Sequence, residues 1–340
     1  MVSKALLAAW GNLLDLSELQ THETVAILVG EITDPAHLEA VRLVLAARDQ
    51  VFYVLELGDA PGPKMGGDST AAYAPTALAA NQVVIEALKN TPFIVDLMGM
   101  YRGGEQKAIL DAGSRIVLVK EGPETFIRLA PRQEDKVAVC QALELFRQTR
   151  RMHVRSKAGT DLIATFGELD YLAQYGFAEQ KGRWDHCPSA FIGAWPNEGS
   201  ANGTVVLNAG DVILPFKYYL RTPIHLDIRD GYIQDIQGGF DARYLKDYMG
   251  SFKDPEAYAV SHLGWGLHSR AHWTALGMYD KRQTNGMDAR SFPGCFMFST
   301  GPNVEGGGQR ETECHLDIPM LDCTVTMGDV VVVDEGRLPG

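Results

Sequence analysis

The chain has 340 residues, is 46% hydrophobic and 22% charged, and carries a formal net charge of -12 with a pI near 5.2. That length supports a large core and suggests two domains. The acidic balance argues against nucleic acid as a partner, since phosphates need a basic surface, and no stretch approaches the roughly 18 apolar residues of a membrane span.

The N-terminal "MVSKALLAAWGNLLDL" is broken by Trp10, Asn12 and Asp15 too early for a signal peptide and predicts an amphipathic first helix. Four short β-branched runs follow: "TVAILVG" (24–30), "VFYVLEL" (51–57), "PFIVDLM" (92–98) and "RIVLVKE" (115–121). Runs that are apolar throughout suit parallel strands covered on both faces. Helical patterns lie between and after them, at 35–49, 74–90 and 134–151. Residues 1–151 therefore predict an α/β domain with a Rossmann-like, mainly parallel sheet. No GxGxxG follows any of these strands and no GxxxxGK[ST] occurs, so dinucleotide and triphosphate binding gain no support.

Beyond residue 152 the texture changes. Gly, Pro, Asn and Asp separate short strands at 203–208, 223–228, 232–237, 295–300, 315–320, 323–327 and 330–333. Apolar and polar residues alternate in several of them, as in antiparallel sheets with one wetter face. Residues 239–252 and 269–280 have helical character. Residues 152–340 thus predict an α+β domain with a largely antiparallel sheet. The five cysteines form no CxxC pair and are odd in number, which suggests reduced thiols and a cytoplasmic protein.

Seven of the nine histidines lie between 153 and 315. "GRWDHCPSAF" (182–191) reads as a loop that places Arg183, Asp185 and His186 together. It either lines a pocket, with His186 available for proton transfer, or satisfies itself as a turn. "AWPNEGSANGT" (194–204) offers Glu198 in a turn. In "SHLGWGLHSRAHW" (261–273), Gly264 and Gly266 would let another group approach the backbone beside His262. His268 and His272 would share a helix face, but Ser269 stands where a zinc HExxH site needs glutamate. "FSTGPNVEGGGQR" (298–310) is either a pocket wall or lid, or a plain connection. In "CHLDIP" (314–319), His315 and Asp317 point to one face of a strand and Cys314 and Leu316 to the other. His262, His315 and Asp317 together make the two-histidine, one-carboxylate set of non-haem Fe(II) oxygenases. The same set can hold zinc for hydrolysis, or form a salt-bridge cluster.

The segments "HVRSKAGTD", "GRWDHCPSAF", "AWPNEGSANGTVVL", "GDVILPFKYY", "YLKDYM", "SHLGWGLHSRAHWTALGMYD", "FSTGPN" and "CHLDIP" resemble the 2,5-dihydroxypyridine 5,6-dioxygenase family. The resemblance is strongest over 152–320 and continues more weakly through the first domain. It implies a mononuclear Fe(II) enzyme that opens a hydroxylated pyridine ring with O2, giving N-formylmaleamic acid from 2,5-dihydroxypyridine. It also implies a fold shared with thermophilic metallo-aminopeptidases, which hold two metals, and there Glu198 is similar to one of their metal-binding glutamates. By motif, the iron ligands fall on His262, His315 and Asp317. By the same resemblance, Ser299 and the 301–308 loop would shape the pocket; apart from it, Arg183 of the 182–191 loop and Arg102 are expected as further substrate contacts. The chain is expected to form a homo-oligomer.

The resemblance departs at one position. The family's pattern carries an acid/base histidine just before the "EQ" pair, where this chain has Arg102 in "IVDLMGMYRGGEQKAIL". Arginine stays protonated and cannot act as a general base, but it pairs with a carboxylate or an anionic ring oxygen. Proton transfer then falls to Tyr101, His186 or the substrate's second hydroxyl, or the ring is a carboxylated one. The rival readings are a two-metal hydrolase using Glu198 and a non-catalytic relative.

Overall fold

The computed structural model describes residues 2–58, 78, 81–100, 104–281 and 283–339. The four β-branched runs form parallel strands, Val25–Val29, Phe52–Glu56, Phe93–Asp96 and Arg115–Val119, with Val25–Val29 between Phe52–Glu56 and Phe93–Asp96. Every residue of Val25–Val29 is buried because both faces are covered. Val25, Ile27 and Val29 pack with Trp10 and Leu13 of the helix Lys4–Leu16 and with Val41 and Leu45 of the helix Pro35–Ala47. Ala26 and Leu28 pack with Ile85 and Leu88 of the helix Gln82–Lys89 and with Ile109 of the helix Gly104–Asp111. Ser3 and Asp34 cap the first two helices, their side chains accepting from Leu6 N and Ala36 N.

A fifth parallel strand, Trp184–Cys187, lies beside Arg115–Val119. This corrects the expected loop over 182–191. The strand has only four residues, and Asp185 and His186 at its centre are polar, so its pattern gave no strand signal. Its burial comes from tertiary partners: Asp185 accepts from the amides of Tyr175 (3.2 Å) and Gly176 (3.0 Å). A segment from beyond residue 152 therefore completes the first sheet.

The rest is largely antiparallel. A seven-stranded sheet runs from Tyr232–Gly238 through Ile224–Arg229, Asn202–Leu207, Asp161–Thr165, Arg151–Ser156 and Cys323–Met327 to Val330–Val333. A five-stranded sheet has the order Leu316–Met320, Phe296–Thr300, Val260–Gly266, Phe191–Ala194, Tyr171–Gln174. Alternate residues of both sheets, among them Val154, Leu226 and Val325 on one and Leu263, Phe298 and Ile318 on the other, form one core with Phe146 of the helix Gln133–Gln148 and Leu245 of the helix Phe240–Ser251. Of the expected helix over 269–280, only Ala275–Met278 is helical. The preceding turn is pinned from outside: the His268 ring meets the Leu129 carbonyl (3.2 Å) and the His272 amide donates to Asp288 (2.7 Å). His268 and His272 therefore do not share a helix face. Among the described residues, no helix is long and apolar enough to cross a membrane.

Candidate metal centre

The strand Val260–Gly266 lies in the middle of the five-stranded sheet, one strand away from Leu316–Met320. Gly264 and Gly266 serve close packing. A Cβ on Gly264 would stand 2.0 Å from the Ile192 carbonyl oxygen, and one on Gly266 2.2 Å from that of Phe292. Val260 pairs with Thr300 and Leu263 with Phe298, so Ser261 and His262 together oppose Ser299. This bulge lets Val260 and Leu263 both face the core and turns His262 to the opposite side. Asp317, paired with Ser299, faces the same way, while its neighbours Leu316 and Ile318 enter the core. His315 immediately precedes the strand and follows the expected alternation, with Cys314 in the core.

The three side chains meet. His262 Nε2 lies 3.2 Å and His315 Nε2 3.3 Å from Asp317 Oδ1. Their ligand atoms all fall within 4.8 Å of one another, and among the described residues this is the one such group of His, Cys, Asp or Glu. All three are buried, at 4%, 5% and 6% exposure. The Nδ1 of His315 donates to the Thr300 carbonyl (2.9 Å), which leaves the Nε2 lone pair facing the cluster. Asp317 Oδ1 is buried without a hydrogen-bond donor, although two imidazole nitrogens face it. A cation shared by the three atoms resolves that arrangement, so the donor set fits a metal ion.

Asp317 Oδ2 is held separately by Arg290 Nε at 2.5 Å. Burial alone would raise the Asp317 carboxyl, but the adjacent Arg290 guanidinium outweighs it and holds the group well below the usual carboxylate range. Trp195 and Phe191 pack on His262 in T-shaped arrangements, with ring centroids at 5.8 and 6.1 Å. Gly306 of the glycine-rich loop sits against Trp195, where a Cβ would come within 2.6 Å of the indole. That loop thus walls the ring that backs His262.

The other expected residues are placed as follows. Ser299 Oγ is fully buried and donates to the His262 carbonyl (2.7 Å). His186 is buried on Trp184–Cys187, its Nε2 3.4 Å from Asn285 Nδ2. Arg183 stacks on Tyr175, 3.7 Å from the ring centroid, and donates to the Ala173 and Phe177 carbonyls and to Asp185. Its guanidinium is thus committed to its own neighbourhood. Glu198 accepts from Asn303 (2.7 Å) and is not part of the ligand group. Tyr101 and Arg102 lie outside the described residues. The chain leading to them is set by Asp96, whose carboxylate accepts from the amides of Met98 (3.0 Å), Gly99 (2.9 Å) and Met100 (2.7 Å).

Sequence reasoning missed Arg290 and Asn285. The signal for Arg290 was faint: a lone arginine in the turn-rich "QTNGMDARSF", whose charge would need a partner if buried.

Residues 5–340 match the protein family described as 2,5-dihydroxypyridine 5,6-dioxygenase. A 2,5-dihydroxypyridine 5,6-dioxygenase of Pseudomonas putida is 46% identical over 326 residues, 96% of this chain and 93% of that protein. The solved structure of the 2,5-dihydroxypyridine dioxygenase from Pseudomonas putida KT2440 superposes with a TM-score of 0.97 at 44% identity, covering 100% of this chain and 99% of that one. AmpT from Thermus thermophilus superposes with a TM-score of 0.60 at 13% identity, over 99% of this chain and 100% of that one, and shares the fold alone.

Proposed function

The chain belongs to the 2,5-dihydroxypyridine 5,6-dioxygenase family, and we propose from that membership that it is an Fe(II)-dependent enzyme opening the ring of 2,5-dihydroxypyridine with O2 to give N-formylmaleamic acid. The observation that carries the reading is the buried meeting of His262 Nε2, His315 Nε2 and Asp317 Oδ1. These three would hold the ion, and two imidazoles with one carboxylate are the donor set of non-haem Fe(II) oxygenases. When bound, Fe(II) supplies a Lewis-acidic site for the ionised ring hydroxyl and the redox chemistry that activates O2.

The chain's own groups then orient and exclude. Holding both reactants in one enclosed place removes most of the entropic barrier to their meeting. Ser299 and the 301–308 loop shape the pocket wall, an assignment supported by their packing about His262 and Trp195. Tyr101, Arg102 and His186 are the proposed acid/base and substrate-contact residues; Arg183, held by Asp185 and by the Ala173 and Phe177 carbonyls, is not among them. Arg102 would pair with the anionic ring oxygen, which also suits a ring carrying a carboxylate. The reading includes a homo-oligomer, supported by the exposed Phe240 and Tyr244 on one helix, and a reducing compartment such as the cytoplasm, supported by five free cysteines.

The test is anaerobic reconstitution with Fe(II), followed by O2 uptake with 2,5-dihydroxypyridine. Stoichiometric O2 consumption with loss of the ring's ultraviolet absorbance is expected. Protein that holds one iron but consumes no O2 would overturn the substrate and direct the search to carboxylated rings.

A further inference from the structure

Asp317 has two oxygens to place, and the second is held from a different part of the molecule. Arg290, on Asp317 Oδ2, is the last residue of the short helix Met287–Arg290. Its Nη1 donates to the Asn285 carbonyl (2.7 Å), so guanidinium and turn are fixed together. The turn itself is fastened to the parallel-sheet domain. The amide of Asn285 donates to Glu121 Oε2 (2.9 Å) and that of Met287 to Glu121 Oε1 (2.6 Å). Glu121 is 1% exposed and lies just past the C-terminal end of Arg115–Val119. Nearby, Gly122 N donates to the Gln283 carbonyl (2.8 Å), and Arg128 makes a two-pronged pair with Asp288 at 2.9 and 2.6 Å.

A carboxylate with both oxygens on backbone amides of one turn fixes that turn in position and orientation. The turn carries the guanidinium that occupies one oxygen of a metal ligand. We propose that Glu121 is a positioning residue for the metal centre: by clamping the Asn285–Arg290 turn it keeps Arg290 on Asp317 Oδ2 and leaves Oδ1 as the one oxygen presented with His262 and His315. This inference rests on the reading of the triad as the metal site. It assigns the parallel-sheet domain a part in metal binding, through a residue remote in sequence from every ligand.

The experiment uses the full chain and two probes, Fe(II) and Co(II), both handled anaerobically. Glu121→Gln keeps one acceptor and loses the other. Outer-shell partners of metal ligands typically change affinity by about 10–100-fold, so Glu121→Gln should weaken Fe(II) binding by about 10-fold or more. It should also shift the visible absorbance of the Co(II)-loaded protein as Oδ2 becomes free to coordinate. Arg290→Gln should do the same, and the double variant should lose little more than Arg290→Gln alone, because both act along one path. A merely structural role predicts a lower melting temperature of the metal-free variant with unchanged metal affinity and Co(II) spectrum, and that result would overturn the proposal. Where Glu121→Gln does not fold, Glu121→Asp, which keeps the charge but shortens the reach, carries the same two outcomes. Metal affinity that survives His315→Ala would sink the triad reading itself; unchanged affinity in Glu121→Gln alone would sink only this inference.

Discussion

The hydroxyl of Ser299 donates to the backbone carbonyl of His262 at 2.7 Å, at the point where their strands fall out of register. A bulge interrupts the ladder there, and the serine supplies a donor to the displaced carbonyl. The side chain that the bulge re-aims is His262, one of the three proposed metal ligands. Ser299→Ala removes the donor from a buried acceptor, which costs about 1–3 kcal/mol. Denaturant unfolding of the metal-free protein should show that loss, and anaerobic titration should show weaker Fe(II) binding. A variant with parent stability and parent affinity would mean that the bulge holds without the hydroxyl.

The two sides of the site differed in how legible they were. His315 and Asp317 could be paired from spacing alone, because i and i+2 share a strand face and Cys314 and Leu316 fill the other. His262 stood out by its chemistry, but its strand did not: Gly264 and Gly266 dilute the strand pattern, although both are there to let strands and loops approach. A bulge has no sequence period, so the register shift that aims His262 was invisible. Arg290 and Glu121 reach Asp317 through a chain of bonds linking distant segments, and no local spacing encodes that. The parallel strands of the first sheet were the easiest element, since burial on both faces leaves an unbroken apolar run. Trp184–Cys187 belongs to the same sheet yet carries Asp185 and His186 at its centre, and the buried Asp185 is satisfied by the Tyr175 and Gly176 amides.

His315 tests the ligand set most directly. Its Nδ1 bond to the Thr300 carbonyl orients the ring, but the core face of this segment is made by Cys314 and Leu316. His315→Ala should therefore abolish Fe(II) binding and O2 uptake while leaving the circular dichroism spectrum and a cooperative thermal transition in place. Activity in the folded variant would remove His315 from the ligand set.

Gly264 marks the tightest approach on the strand that carries His262. A methyl group there would overlap the Ile192 carbonyl at 2.0 Å, with Gly193 Cα at 2.6 Å. Neither is a flexible side chain that can swing away, so Gly264→Ala must spread two paired strands. The cost should exceed the roughly 1–3 kcal/mol of ordinary overpacking. Gly104→Ala is the control, since nothing lies within 4 Å of its Cβ position. Melting temperatures should show a large loss for the first and near-parent stability for the second. Similar values for both would mean that the strands yield easily.

Stability should also fall between mildly acidic and neutral pH, for a reason outside the metal site. Asp211 is 2% exposed and accepts from the amides of Leu321 (2.8 Å) and Asn208 (2.6 Å). Burial, aided by the nearby Asp322, pushes its carboxyl up to about 7 despite those two bonds. Asp96, buried at the end of its parallel strand, is likewise pushed by burial up to about 6. A folded-state value above the unfolded one means that the fold holds the proton more tightly. The resulting stability is complete below the ordinary aspartate value of about 4 and is lost as pH rises through the folded values. At about 1.4 kcal/mol per pKa unit, Asp211 sets a loss of up to about 4 kcal/mol by pH 8. Asp211→Asn cannot titrate, yet its amide oxygen still accepts one backbone bond. Unfolding free energies at pH 5 and pH 8 should therefore differ less in the variant than in the parent, with the Asp96 contribution remaining in both. The same difference in variant and parent would show that Asp211 is ionised in the fold well below neutral pH, and that the amides of Leu321 and Asn208 outweigh its burial.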